Sequence, residues 1–310
     1  MLHTILGAGG AIGNNLLDLL TQNGEQVRLV SRKHRPAENA ESVEANVLDK
    51  SDLSEALRGS GVVYLLVGID YNASSWEIHW PVIMENVISV CADQQIPLIF
   101  FDNIYMYGLV EGEITESTPF QPNSRKGKVR ANIASMLLNA VQSGKIKALI
   151  ARSADFYGPH SAQVSFLHQL VIGRHMQGKK AQWMVNPNMP HTFTYTPDAA
   201  KALYILAKDE SAFGKTWHLP SSTPSPTGEE LIQLSSAVCN APKGTQVISK
   251  WMLRLLGIFI PVLRESVEML YQYEMPYHFN SQAFQKKYGF NPTPYQKGIQ
   301  ETVDFYRENP

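Results

Sequence analysis

The chain has 310 residues, with 27 Lys and Arg against 28 Asp and Glu and a hydrophobic share of 44%. That length exceeds what one hydrophobic core usually serves, so one large domain with an annex, or two domains, is expected. The near-zero net charge advertises no nucleic acid as partner, and the composition is that of a soluble globular protein.

The first apolar run, Leu2–Leu6, feeds into Gly7-Ala8-Gly9-Gly10-Ala11-Ile12-Gly13. It reads as a strand, not as a signal peptide. Ile12, Leu16, Leu17, Leu19 and Leu20 then follow a helical repeat. Strand, glycine turn and helix in that order open a dinucleotide-binding βαβ unit. Gly7 lets the chain turn off the strand, Gly10 admits a pyrophosphate to the backbone, and Gly13 lets the helix pack on the sheet. Gly7, Gly9, Gly10, Ala11, Ile12 and Gly13 are the predicted phosphate cradle, served by the positive end of the helix. Asn23-Gly24 ends that helix, and Gln26–Ser31 is the second strand. NAD sites place an acidic residue at its end, to bond the adenosine 2′-OH. Here the chain reads Ser31-Arg32-Lys33. Ser31 and Arg32 would bind a 2′-phosphate that a carboxylate repels, which favours NADP over NAD; the alternative is a solvated charge pair.

A short strand is expected around Val43–Val47, with Asn46 and Val47 in the cofactor site, then a helix at Ser51–Leu57. Val62–Val67 is a continuous β-rich run typical of a buried parallel strand. Val67 and Gly68 stand at its carboxyl end, where open α/β sheets bind ligands. A loop to Trp80, a helix at Pro81–Gln94 and a strand at Pro97–Phe101 lead to Asp102-Asn103-Ile104-Tyr105-Met106-Tyr107-Gly108. A helix at Ser124–Gln142 and a strand at Lys147–Ala151 complete an alternation that predicts an α/β fold, a doubly wound parallel sheet.

The second half changes character. Arg152–Pro159 reads as a loop, Val164–Gly173 as helical, His191–Thr196 as a strand, Pro197–Lys208 as a helix and Trp217–Leu219 as a short strand. Gly228–Val238 is a helix capped by Thr227. Lys250–Tyr273 carries an amphipathic helical period suited to packing on the annex, and Gly298–Tyr306 closes the chain. The longest apolar stretch, Trp251–Leu263, is broken by Arg254 and Pro261 and is too short to span a bilayer.

On these markers the chain resembles the extended short-chain dehydrogenase/reductases, the NAD-dependent epimerase/dehydratase-like proteins. The markers are the three glycines; Asn46-Val47-Leu48-Asp49; Tyr107-Gly108; Arg152; Phe156-Tyr157-Gly158-Pro159; His191–Asp198; and Tyr288–Pro294. The resemblance implies a Rossmann sheet at residues 1–159 and 185–219, with a smaller, mostly helical substrate domain at 160–184 and 220–310. It also implies a homodimer formed through a four-helix contact.

The family's chemistry uses Ser or Thr, then a Tyr acid/base with a Lys four residues later on one helix face. Here Asn103 falls where the hydroxyl is expected, Lys126 stands for the Tyr and Arg130 for the Lys. No Tyr occurs between Gly108 and Tyr157, so no local shift restores the motif. Asn103 would hydrogen-bond a substrate carbonyl, and Arg130 the ribose hydroxyls. Lys126 is either the proton donor for hydride reduction of a carbonyl or an ordinary surface lysine. Asp102 either pairs with this basic cluster or caps a loop. Tyr157 is a second candidate donor, while Tyr107 reads as packing. His191 and His160 either line a cleft or are satisfied side chains, and Asp198 reads as a helix-dipole carboxylate. The aromatics Trp76, Trp80, Phe156, Trp183 and Trp251 read as core or as the wall of an apolar substrate site.

Two readings of different class follow. One is an NADP-dependent oxidoreductase, or epimerase/dehydratase-like enzyme, acting on a carbonyl or hydroxyl small molecule by hydride transfer. The other is a catalytically silent NAD(P)-binding redox sensor or partner-binding protein. No metal site and no membrane partner are expected, and the two cysteines, Cys91 and Cys239, fit free thiols in a reducing cytoplasm.

Overall fold

The computed structural model describes residues 1–309, the side chain of Val262 excepted. In chain order the strands are β1 (Leu2–Leu6), β2 (Gln26–Ser31), β3 (Glu41–Glu44), β4 (Val62–Leu65), β5 (Leu98–Asp102), β6 (Glu113–Ile114), β7 (Ala148–Arg152), β8 (Asp155–Tyr157), β9 (Ala181–Met184), β10 (Phe193–Tyr195), β11 (Thr216–His218), β12 (Thr245–Ile248) and β13 (His278–Phe279). The helices are α1 (Ala11–Gln22), α2 (Lys50–Ala56), α3 (Ala73–Asp93), α4 (Arg125–Gln142), α5 (Gly173–Met176), α6 (Thr196–Lys208), α7 (Gly228–Cys239), α8 (Lys250–Leu256), α9 (Pro261–Ser266), α10 (Gln282–Tyr288) and α11 (Tyr295–Glu308).

Seven strands form one sheet in the order β11-β7-β5-β4-β1-β2-β3. Every pair from β3 across to β7 is parallel. The chain runs outward from β1 through β2 to β3, then returns to β4 on the other side of β1. The switch point of this doubly wound sheet therefore lies between β1 and β4, with its ligand crevice at their carboxyl ends. All four residues of β4 are buried, as the unbroken Val62–Leu65 run requires of a central parallel strand.

The chain forms two compact units. The first comprises residues 1–106, 126–152 and 200–217; the second comprises 107–125, 153–199 and the residues from His218 onward. These boundaries correct the expected 1–159/185–219 and 160–184/220–310 division; Pro310, the last residue of that span, lies outside the described residues. The physical reason is pairing. β8, inside the expected Rossmann segment, pairs with β10, and β6 pairs with β13, so both belong to the second unit. β9 and β12 form a third small parallel pair there.

Most elements lie within a residue or two of their expected positions. Strand β3 ends earlier than expected, at Glu44 rather than Val47. Helix α3 starts eight residues before Pro81, because the Asn72 side chain accepts from Ser75 N and caps it. Pro81 sits inside the helix and gives up one ladder donor, a cost that the buried Trp76, Trp80, Ile83, Met84 and Val87 offset. The expected Lys250–Tyr273 helix is broken at Gly257 into α8, α9 and a tight helical stretch, Val267–Tyr273. Thr227 caps α7 through a reciprocal pair with Glu230. Among the described residues no helix is long and apolar enough to cross a membrane, and no group of His, Cys, Asp and Glu could hold a metal ion.

Two buried histidines tie stability to pH. Burial pushes His3, stacked on Tyr64 in the first unit, down to about 4. Burial pushes His168, against Tyr306 in the second unit, likewise to about 4. Both folded values lie below the ordinary 6.5, so the unfolded chain binds more protons between pH 6.5 and 4. Stability should therefore fall with pH through that window, by up to about 1.4 kcal/mol per pH unit per histidine. Urea denaturation across the window should show this slope, and His168→Gln should flatten the second unit's share.

Candidate dinucleotide and substrate site

β1 ends at Leu6, and the turn from Gly7 to Gly10 leads into α1. Gly7 has φ +97° and donates its N–H to the Val30 carbonyl at 3.1 Å. A Cβ there would stand 2.7 Å from the Leu66 carbonyl and from Val67 Cα. The turn is thus pressed against the loop after β4, with Val67 beside Gly7. Gly13 is also close-packed: a Cβ would lie 3.3 Å from the Gly7 carbonyl oxygen. Gly10 differs. A Cβ on it would meet nothing nearer than the Gly7 oxygen at 3.6 Å, so the protein's own packing does not demand glycine there. A ligand approaching the backbone does. No side chain caps α1, whereas Asp49 caps α2 and Asn72 caps α3. The first N–H groups of the helix, from Ala11, Ile12 and Gly13, have no intrahelical acceptors by geometry. Open backbone donors at a dipole's positive end, reached over a residue without a side chain, fit a pyrophosphate.

Beyond the cradle, Arg32, Glu44, Ala45, Asn46 and Asp52 line an open depression of about 460 Å³. Arg32 is exposed. The Ser31 hydroxyl donates to the Lys33 carbonyl at 2.6 Å. That bond closes the turn after β2. Asn46 Oδ1 accepts from Leu48 N at 3.1 Å, and the Val47 carbonyl accepts from Asn86 at 3.1 Å. Gly68 is exposed with open space around it. One residue was missed. The Arg35 guanidinium lies across Gly9, where a side chain on that glycine would stand. The basic run Arg32-Lys33-His34-Arg35 was the available signal, but not which arginine folds back.

Helix α4 carries Lys126 and Arg130, the two residues expected to stand for the family's acid/base pair. Lys126 is fully buried, its Nζ 4.5 Å from the centre of the Tyr71 ring. This corrects the reading of Lys126 as a surface lysine. Arg130, one turn on, is 5% exposed, and its Nε donates to Asp102 Oδ1 at 2.7 Å. Its guanidinium stands 4.4 Å from the Trp80 ring centre and 5.4 Å from those of Trp76 and Phe100. Asp102 and Arg152 are register partners at the ends of β5 and β7, and Arg152 Nε lies 3.8 Å from Asp102 Oδ2. Burial pushes the Asp102 carboxyl above its ordinary range, while Arg130, Arg152 and the Asn103 N–H pull against that rise. Asp102 therefore pairs with the basic cluster. Arg130 is thus held by a carboxylate and three rings, and its Nη1 has no hydrogen-bond partner among the described residues. Asn103 Oδ1 accepts from Tyr105 N at 3.1 Å, so the amide carbonyl is engaged in the loop.

The remaining candidates lie in the second unit. Tyr157 is buried against Gly298, with its ring 5.4 Å from Tyr195 and 5.9 Å from Tyr295. Burial raises its phenol well above the ordinary value. Tyr157 is a core residue, which corrects its placement as a proton donor. His191 stacks on Tyr273 and Tyr277, with Nε2 3.1 Å from Asp155 and Nδ1 3.2 Å from the Gln272 carbonyl. It is a satisfied side chain, and His160 packs edge-on against Phe305. Tyr107 donates or accepts at His218 Nε2 at 2.8 Å, in keeping with packing. Asp198 opens α6 and also accepts from Thr293 N and Oγ1. Trp76, Trp80 and Trp183 are buried, whereas Trp251 is exposed.

The family model described as NAD dependent epimerase/dehydratase family matches residues 3–218. Over 298 residues the chain is 20% identical to 3beta-hydroxysteroid-dehydrogenase/decarboxylase isoform 2 of Arabidopsis thaliana, covering 85% of this chain and 51% of that one. It thus spans about half the length of the curated relative it matches. Among solved structures it is similar to the dTDP-glucose 4,6-dehydratase of Bacillus anthracis in complex with NAD, with a TM-score of 0.83 and 15% identity, covering 100% and 97% of the two chains. The UDP-glucose 4-epimerase of Thermus thermophilus in complex with NAD gives a TM-score of 0.81 and 16% identity, covering 99% of each. At such identities the likeness establishes the fold.

Gly10→Ala should leave urea stability within about 0.5 kcal/mol of the parent. The same change should weaken dinucleotide binding, by calorimetry, at least tenfold. Gly7→Ala, strained at positive φ and driven into the Leu66–Val67 backbone, should cost roughly 1–3 kcal/mol of stability as well. Equal effects of the two changes on stability would contradict this division of roles.

Proposed function

The chain belongs to the NAD-dependent epimerase/dehydratase family of nicotinamide-dinucleotide enzymes, and on that premise we propose that it is an NADP-dependent oxidoreductase converting a carbonyl or hydroxyl small molecule. The observation that carries this reading is the burial of Lys126, which we align with the family's proton-transferring Tyr. A buried ammonium is costly unless compensated, and the face of Tyr71 supplies part of that compensation. Such a residue is hard to account for as a bystander.

The residues that would hold the cofactor are the Gly7–Gly13 backbone, Val67 and Gly68 at the switch point, Asn46 and Val47, and the two arginines Arg32 and Arg35. Two guanidiniums and no acidic residue at the end of β2 support a 2′-phosphate. Glu44 and Asp52, on the far side of the same depression, work against it. The bound dinucleotide supplies or takes up the hydride. Lys126 is the group we assign to the proton: as an ammonium it protonates the oxygen of a carbonyl being reduced, and as an amine it accepts the proton of a hydroxyl being oxidised. Asn103 holds the same oxygen through its NH2. Asp102 and Trp80 keep Arg130 and hence that turn of α4 in place. Simple carbonyl–hydroxyl interconversion is favoured over nucleotide-sugar epimerisation, which leans on the Tyr this chain lacks.

A screen of carbonyl compounds for NADPH oxidation should find turnover. Lys126→Met should lower it by roughly a hundredfold or more while NADPH affinity stays within about twofold. Unchanged turnover in that variant overturns the assignment, and tight NADPH binding with no turnover across the panel would make the protein a sensor. Independently, Arg32→Asp should move the preference from NADPH toward NADH by about tenfold or more, as expected for losing a charge-assisted phosphate contact. An unmoved preference removes the NADP assignment.

A further inference from the structure

In the second unit, α8 and α9 fold back on each other at Gly257. A Cβ there would lie 3.0 Å from the Arg264 backbone and from the Leu253 carbonyl, so glycine permits the close turn. The inward side is anchored: Leu253 is buried in the unit's core, Leu263 and Val267 pack against that core, and Lys250 pairs with Glu274 at 2.6 Å. The outward side is apolar. Phe259 is 79% exposed, Ile258 68%, Trp251 66% and Leu255 52%, with Met252, Leu256 and Ile260 beside them. Single exposed apolar residues are ordinary on a protein surface; a continuous face of them is not.

The charge of the hairpin leans positive: α8 and α9 carry Lys250, Arg254 and Arg264 against Glu265, and Lys250 is paired with Glu274. Between Glu230 and Glu265 the sequence contains Lys243, Lys250, Arg254 and Arg264 and no Asp or Glu, in a chain whose net charge is −1. Arg254 and Arg264 are exposed within the hairpin itself. We propose that the α8–α9 hairpin is a peripheral membrane-binding surface that lies in the interface of an anionic bilayer. Trp251 and Phe259 insert at headgroup depth, and the arginines meet the lipid charge. The chemistry of the occupant follows from the pairing of apolar anchors with a cationic excess, two exposed arginines against Glu265. A second copy docked face to face would bring Arg254 and Arg264 against their own counterparts, with Glu265 the one carboxylate of α8 and α9 to meet them. The segment lies on the bilayer and does not cross it, which refines the expectation of no membrane partner. This inference stands apart from the oxidoreductase reading.

Flotation of the full chain with vesicles tests it. Equimolar phosphatidylglycerol and phosphatidylcholine vesicles should carry the protein, pure phosphatidylcholine vesicles much less, and added salt should release it. Trp251 emission should shift to the blue on binding, a shift missing in Trp251→Phe. Phe259→Asp should lower partitioning at least tenfold, and Arg254→Glu by about fivefold or more. NADPH affinity should be unchanged in both variants, showing that they fold. No flotation with the anionic vesicles, or flotation unaffected by Phe259→Asp, overturns the proposal. So does a wild-type dimer in sedimentation that Phe259→Asp dissolves, which would give the face to a second copy.

Discussion

The first unit depends on one contact between two loops. The turn after β1 presses, at Gly7, on the backbone after β4, and no side chain fits between them. These two strands are neighbours whose connections leave in opposite directions, so their carboxyl ends would otherwise diverge into a crevice. The contact fixes the floor of that crevice. The start of α1, the Leu66–Gly68 loop and Arg35 over Gly9 all take their positions from it. A cradle built of backbone rather than side chains has little rotamer freedom to lose when a ligand arrives.

A second constraint is electrostatic. Among the described residues, Asp102 is the one buried carboxylate of the first unit, yet Lys126, Arg130 and Arg152 are all buried there. The aromatic faces of Tyr71, Trp76, Trp80 and Phe100 take up part of that imbalance. An interior biased toward positive charge stabilises an oxyanion more than it would in water, because little solvent reorganises around it. An oxygen anion held beside these cations would be stabilised in that way.

The strands, the cradle and most helices were legible because each announces itself over a few adjacent residues. The glycine turn needed only its flanking apolar runs. What was missed depends on partners distant in sequence. β9 and β12 pair across about sixty residues, and Asp102 meets Arg152 only once β5 is known to neighbour β7. Pro81 hid the start of α3, since proline more often opens a helix than lies within one, and the Asn72 cap nine residues earlier outweighed it. The burial of Lys126 did leave a trace. Lys126, Arg130, Ile133 and Leu137 recur at helical spacing, so both cations ride the face that carries the apolar residues into the core. The α8–α9 segment failed the other way: its apolar period was real, but a seven-residue helix turned at Gly257 can bury only one side.

The path of the chain through the two units has its own consequence. The backbone passes between them after Met106, Arg125, Arg152, Ala199 and Trp217. No single cut can separate them, so neither is available as a contiguous fragment. During synthesis on a ribosome the seven-stranded sheet has all its strands once Trp217 and His218 have emerged, whereas the second unit still awaits β12, β13 and α11. The nucleotide-binding half is therefore able to form first, and its ligand could hold it while the remainder of the polypeptide is made.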